Sequence, residues 1–112
     1  MGGRGLVEAL WRDVIDAHDP NAVDRLVAPG YRQHAPGIAQ GPEGLKAFLR
    51  DIFDDSEGMR AEMTDAVAVD DLVICRITIR FDRPPEGWSA EQSIVDVFRH
   101  DGTRLTEHWD LR

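Results

Sequence analysis

The sequence predicts an α+β domain, a curved, mainly antiparallel sheet with helices against one face. Three observations carry this. Apolar residues recur at helical spacing through the first half, and the period changes to two near Met59. Two turn-forming pairs, Asp70-Asp71 and Asp101-Gly102, then divide the second half into two hairpins.

Leu6, Val7, Leu10, Trp11, Val14 and Ile15 repeat at i, i+3, i+4, with Glu8, Arg12, Asp13 and Asp16 opposite them. That is an amphipathic helix. In "HDPNAVDRLV", Asp19 can cap and Pro20 suits a first helical turn, so a second, short helix runs to about Val27 and is broken by Pro29-Gly30. "GYRQHAP" reads as a short extended segment ended by Pro36-Gly37. A third helix starts at Pro42 and places Leu45, Phe48, Leu49, Ile52 and Phe53 on one face. "MRAEMTDAVAV" and "LVICRITIRF" form the first hairpin, "DRPPEGW" is a loop, and "SAEQSIVDVFRH" with "RLTEHWDLR" forms the second. No internal repeat, low-complexity tract or linker interrupts this order, and 112 residues make a single domain, 1–112.

Charge narrows the partners. A net charge of −8 argues against nucleic acid or an anionic membrane, both of which need clustered Lys and Arg, and is compatible with a neutral or cationic small molecule. Cys75 is the one cysteine, inside an apolar run, where it reads as a small buried side chain rather than a reactive thiol. With no disulfide to form, no apolar signal core at the N-terminus and no run of transmembrane length, the expected setting is cytoplasmic.

The closing "RLTEHWDLR" poses the functional question. Strict alternation puts Leu105, Glu107, Trp109 and Leu111 on one face and Thr106, His108 and Asp110 on the other. If helices cover the second face, His108 and Asp110 line a cavity, and the exposed Leu105, Trp109 and Leu111 form a surface for a second subunit. The alternative puts Trp109 in the core and His108 and Asp110 in water. His34, in "YRQHAPG", adds a second histidine beside Tyr31 and Gln33. Asp96 is a carboxylate inside an otherwise apolar strand, either at a solvated edge or functional. His34, His108 and Asp110 together would suffice for a two-histidine, one-carboxylate metal site, though their spacing is not diagnostic of one.

Taken together, "YRQHAPGIAQGPEGLKAFL" and "VDVFRHDGTRLTEHWDLR" resemble the SnoaL-like proteins, a group related to polyketide cyclases. The signature residues are Tyr31, Gln33, His34, Pro36, Gly41 and Gly44, then Asp96, Phe98 and Arg99, and last Glu107 to Asp110 beyond a hairpin glycine. The resemblance spans essentially the whole chain and implies a nuclear transport factor 2-like cone, three helices packed on a strongly curved sheet, commonly dimeric, without metal or other cofactor. It implies a pocket between the concave face and the helices, with Asp110 as acid or base, assisted by His108 or His34. Trp11, Tyr31, Phe48, Phe53 and Trp88 would be aromatic walls for a hydrophobic carbonyl ligand, with Asp96 also in the binding site. Singly, Trp11, Phe48 and Phe53 also read as core packing. The activity so implied is a cofactor-independent cyclase or isomerase. Two alternatives stand beside it: a dimeric domain that only binds a small ligand, and an epoxide hydrolase-like activation of water. The latter uses an arginine between carboxylates, for which Arg32 and Arg99 are candidates by type. The short "RPPEGW" stretch departs from the relatives and implies a reshaped mouth with Trp88 near it.

Overall fold

Leu6, Val7, Leu10, Trp11, Val14 and Ile15 are all buried in the computed structural model of the chain, which describes residues 2–111. They lie on α1 (Gly3–Ala9) and on the π-helical segment that continues it, Leu10–Asp16. There the backbone bonds reach five residues, as in Ala17 N–H to the Arg12 carbonyl at 3.2 Å. Asp19 caps as expected, its carboxylate accepting from the Asn21 N–H at 3.1 Å, and a 3-10 turn at Pro20–Ala22 leads into α2 (Val23–Leu26). Pro29-Gly30 does not end the helix. The chain is already in strand β1 (Val27–Gln33), and the pair sits where the register of that strand slips between Val27 and Arg32.

The third helix, α3, spans Gly41–Asp54. Its two glycines have different reasons. Gly41 adopts φ +77°, open to glycine at no steric cost. At Gly44 a Cβ would fall 2.1 Å from the Ala39 carbonyl oxygen, so the helix and its lead-in approach each other through the missing side chain.

Strands β2 (Arg60–Val69), β3 (Leu72–Arg80), β4 (Glu91–His100) and β5 (Leu105–Leu111) follow, with the sheet order β1-β5-β4-β3-β2. All neighbours are antiparallel except β1, which runs parallel to β5. The hairpin at Asp70-Asp71 is tight, with Asp70 at φ +53°, whereas the loop of residues 101–104 takes four residues, closed by Thr103 and Arg104 N–H groups on the Asp101 carboxylate. Helices cover one face, where Val73, Cys75, Ile77, Ile79, Ile94 and Phe98 meet the buried residues of α1 and α3. Among the described residues no helix is long and apolar enough to cross a membrane.

Strict alternation fails in β5. Arg99 pairs with Glu107 and His100 with Leu105, so Thr106 has no partner and bulges. One extra residue moves Leu105 to the helix side, where it is fully buried, while Glu107, Trp109 and Leu111 stay on the outer face. The expected subunit surface therefore cannot include Leu105.

His34 follows Glu107 and Trp109 to that outer face. Its Nε2 donates to the Glu107 carboxylate at 2.6 Å and its ring stacks on Trp109, centroids 5.0 Å apart. Arg99 donates to Glu107 at 3.2 Å and lies over the Trp109 ring, and Arg32 approaches the same carboxylate at 3.6 Å. A carboxylate left 8 % exposed is tolerable with this many cationic neighbours. The hydrogen bond from His34, then Arg32 and Arg99, holds Glu107 below the usual glutamate range against the opposing effect of its desolvation.

Two outcomes follow from these placements. Gly44→Ala is expected to cost about 1–3 kcal/mol through the overlap with Ala39, read as a lowered melting temperature. Because Glu107 is depressed in the folded state, its contribution is present above the ordinary glutamate value and lost as pH falls through the folded one. Urea midpoints measured from neutrality into that acid range should therefore fall less steeply for Glu107→Gln than for wild type.

Candidate functional site

Between the helices and the covered face of the sheet lies a cavity of about 460 Å³. Leu10, Trp11 and Ile15 of the π-helical segment and Leu45, Phe48, Leu49 and Ile52 of α3 form its roof. Ile79, Ile94 and Phe98 come from the sheet, and Met59, Ile38 and Trp88 from loops. Against this apolar wall the polar groups gather on three adjacent strands: Tyr31 and Gln33 from β1, His108 and Asp110 from β5, and Asp96 from β4.

Register explains the gathering. Gln33 pairs with His108 across the parallel β1–β5 junction, and Asp96 pairs with Asp110 across β4–β5. Directly opposed residues share a face, so two carboxylates stand side by side next to a histidine. His108 Nδ1 is 2.7 Å from Gln33 Oε1, and its Nε2 is 2.9 Å from Asp96 Oδ1. The imidazole stacks on Phe98, centroids 4.5 Å apart, and Phe98 in turn meets Trp11 edge-on. Asp96 is 2 % exposed and His108 8 %, whereas Asp110 is half-buried at the cavity.

Gln33 is clamped on both sides. The side chain of Gln40 reads its backbone as a strand would, accepting from the Gln33 N–H at 2.9 Å and donating to the Gln33 carbonyl at 2.7 Å. Its own amide accepts from the Ala35 N–H and donates to the Tyr31 hydroxyl. Burial, reinforced by the charge of Asp96 and opposed by the Gln33 hydrogen bond, pushes the Tyr31 phenol well above the ordinary tyrosine range. Burial also pushes the Cys75 thiol up to about 12, with Asp96 adding to the shift, so Cys75 is no thiolate nucleophile at neutral pH.

The sequence-predicted residues divide accordingly. Asp110, His108, Asp96, Tyr31, Trp11, Phe48 and Trp88 all border the cavity. Phe53 does not. It stacks on His18 instead, centroids 4.7 Å apart, because the turn of α3 carries it past the cavity edge. His34 is excluded by the sheet itself, being on the opposite face from Asp110, so it neither assists that carboxylate nor completes a ligand set with His108. Among the described residues no group of three or more His, Cys, Asp or Glu side chains is disposed to hold a metal ion. Arg32 and Arg99 also face outward onto Glu107, so neither bridges the cavity carboxylates. Phe48, Ile52 and Trp88 border a second depression as well, lined by Asp51, Asp54, Asp55, Arg83 and Glu86. Trp88 thus stands between the two.

Sequence reasoning missed Gln33, Gln40 and Phe98 as parts of the site. Gln33 was findable, since it lies two residues from Tyr31 in an extended segment and so on the same face. Gln40 acts through a loop conformation that no periodicity encodes.

No curated protein sequence matches the chain significantly. Solved structures do match. TsrD from Streptomyces laurentii is 26 % identical, with 96 % of this chain and 84 % of that one aligned at a TM-score of 0.77. A candidate polyketide cyclase from Acidithiobacillus ferrooxidans is 22 % identical over 96 % of this chain and 84 % of that one, at 0.80. An LEH-like epoxide hydrolase from M. tuberculosis is 18 % identical over 95 % and 78 %, at 0.75. The latter two share the fold of this chain. The sequence model of the SnoaL-like domain matches residues 7–108, nearly the whole α+β unit described above, and the chain therefore belongs to the SnoaL-like domain family.

Proposed function

We propose that the cavity performs acid–base chemistry on a hydrophobic carbonyl compound, as a cyclase or isomerase that needs no cofactor. The observation that carries this reading is the side-by-side pair Asp96 and Asp110, with His108 bonded to the first, at the polar end of an otherwise apolar cavity. Asp110, half-buried at the cavity, takes a proton alpha to the ligand's carbonyl. The C–H bond breaks, its electron pair becomes the carbon–carbon π bond of an enolate, and the carbonyl π pair moves onto oxygen. Reprotonation at another carbon isomerises the ligand; alternatively the enolate carbon attacks a second carbonyl, whose π pair moves onto its oxygen, and that alkoxide takes back the proton from Asp110 as the ring closes. The Asp96–His108–Gln33 chain holds its polar groups in place through the cycle, since each is bonded to the next. Aromatic walls from Trp11, Phe48 and Trp88 suit a flat polycyclic ligand.

The same domain is read as a homodimer through the outer face of the sheet. Register aligns Val67, Ile74, Val97 and Trp109 in one row across four strands, with Leu111 beside it. Val67, Ile74 and Leu111 are exposed, and a twofold-related copy of the same row would cover them. A cytoplasmic setting fits the one buried thiol.

Polyketide-like ketones screened for turnover should yield a substrate on which Asp110→Asn lowers kcat by about 10²–10⁴-fold while binding persists. Ligands that bind the wild type and the variant alike, with no turnover in either, would make the domain a binding module. Ile74→Asp, at an exposed position that leaves the cavity untouched, is expected to give a monomer by sedimentation, and an unchanged mass for both proteins would remove the interface.

A further inference from the structure

An enolate needs a donor at its oxygen; the Trp11 indole N–H, buried and without a hydrogen-bond partner among the described residues, lies among the apolar wall residues, and the hydrogen bonds around Gln33 decide which group serves at the polar end. The Ala35 backbone N–H can only donate, and it donates to the Gln33 side-chain oxygen at 3.1 Å. That contact fixes the amide, its oxygen toward Ala35 and His108 and its nitrogen toward Tyr31. His108 Nδ1, 2.7 Å from the same oxygen, must then carry a proton, and Nε2 is engaged with Asp96. Both ring nitrogens are committed, and His108 has no N–H left for a ligand.

Tyr31 stands at the other end of the chain. Its hydroxyl oxygen accepts from Gln33 Nε2 at 3.2 Å, so the Tyr31 proton is not used in that bond, and Gln33 is the hydrogen-bond partner of the hydroxyl among the described residues. The side chain borders the cavity between Gln33 and the apolar wall. Burial keeps the phenol protonated at neutral pH. Two donors converging on the Gln33 oxygen polarise its amide, and an oxygen that has accepted a hydrogen bond donates a stronger one.

We propose that the Tyr31 O–H is the group that holds the carbonyl oxygen of the bound ligand, and the enolate oxygen formed from it, with Gln33 as the residue that orients it. The assignment rests on the acid–base reading above and makes Tyr31 a catalytic residue rather than an aromatic wall. No proton transfer is required of it: the hydrogen bond shortens as charge develops on oxygen, and the proton stays on the phenol.

Infrared spectra of 1-tetralone bound to the whole protein test this, with binding followed by tryptophan fluorescence. In the wild type the C=O stretch should lie below its position in an apolar solvent. The shift should survive Asp110→Ala and vanish in Tyr31→Phe, with affinity for the ketone falling about five- to tenfold. On any substrate found, Tyr31→Phe should lower kcat by about 10²–10³-fold. A bound ketone whose stretch is unshifted in wild type overturns the Tyr31 assignment and leaves carbonyl binding intact. A shift that persists in Tyr31→Phe, or is lost only in Asp110→Ala, overturns it in favour of another donor. Failure of the wild type to bind the ketone overturns this assignment and the carbonyl reading together. Since wild type and Asp110→Ala are measured alongside, a Tyr31→Phe protein that fails to fold leaves the wild-type spectrum to decide.

Discussion

Asp96 sits in the middle of a five-stranded sheet at 2 % exposure, and the polar end of the cavity is organised around keeping it there. A buried carboxylate without a partner would cost several kcal/mol. His108 supplies the partner, but an imidazole can do so reliably only if its other nitrogen is fixed, and that is the work of Gln33. Gln33 in turn is held by Ala35, by Gln40 and by pairing with β5. A backbone N–H that cannot change its role therefore sets, through three side chains, the arrangement facing the cavity.

The parallel junction of β1 with β5 is what makes this chain of bonds possible. A meander of β2 to β5 alone would place Asp96, His108 and Asp110 on one face and leave the outer side of His108 at a sheet edge. Adding β1 in parallel removes that edge and delivers Gln33 and Tyr31, two residues apart, to the same face. The bulge at Thr106 matters as much. With it, Leu105 seals the core beneath α1 while His108 and Asp110 remain on the cavity side, and Glu107 meets His34 and the two arginines on the other. One inserted residue lets a strand of seven present a core residue, a site and an ion cluster in succession.

Much of this was legible in the sequence because it rests on local periodicity. The helices, both hairpins and the position of Asp110 and His108 on the helix side follow from spacing and turn chemistry together with the family resemblance. What escaped depended on pairing between distant segments. A bulge is invisible to alternation, since it is defined by the partner strand, so Leu105 was assigned to the wrong face. Gln33 and His34 are neighbours of opposite orientation at the end of one short strand, and chemical type alone favours the histidine. The glutamine faces the cavity; the histidine faces away. Phe53 shares the apolar stripe of α3 with Phe48 but lies beyond the end of the cavity, a distinction of depth that a helical wheel does not carry.

These constraints divide the cavity into two parts with different freedom to change. On the sheet side each polar group is bonded to the next, so replacing Gln33, His108 or Asp96 leaves a buried partner unsatisfied at about 1–3 kcal/mol or more. On the helix side the walls are Leu10, Ile15, Leu45, Leu49 and Ile52 with the aromatic rings of Trp11 and Phe48, and volume-conserving apolar exchanges there cost under about 1.5 kcal/mol. Shape can therefore be retuned from α3 and the π-helical segment without disturbing the polar groups of the sheet. The polar groups of the sheet side are fixed by the same bonds that keep it folded, whereas the shape of the cavity is set by the helices.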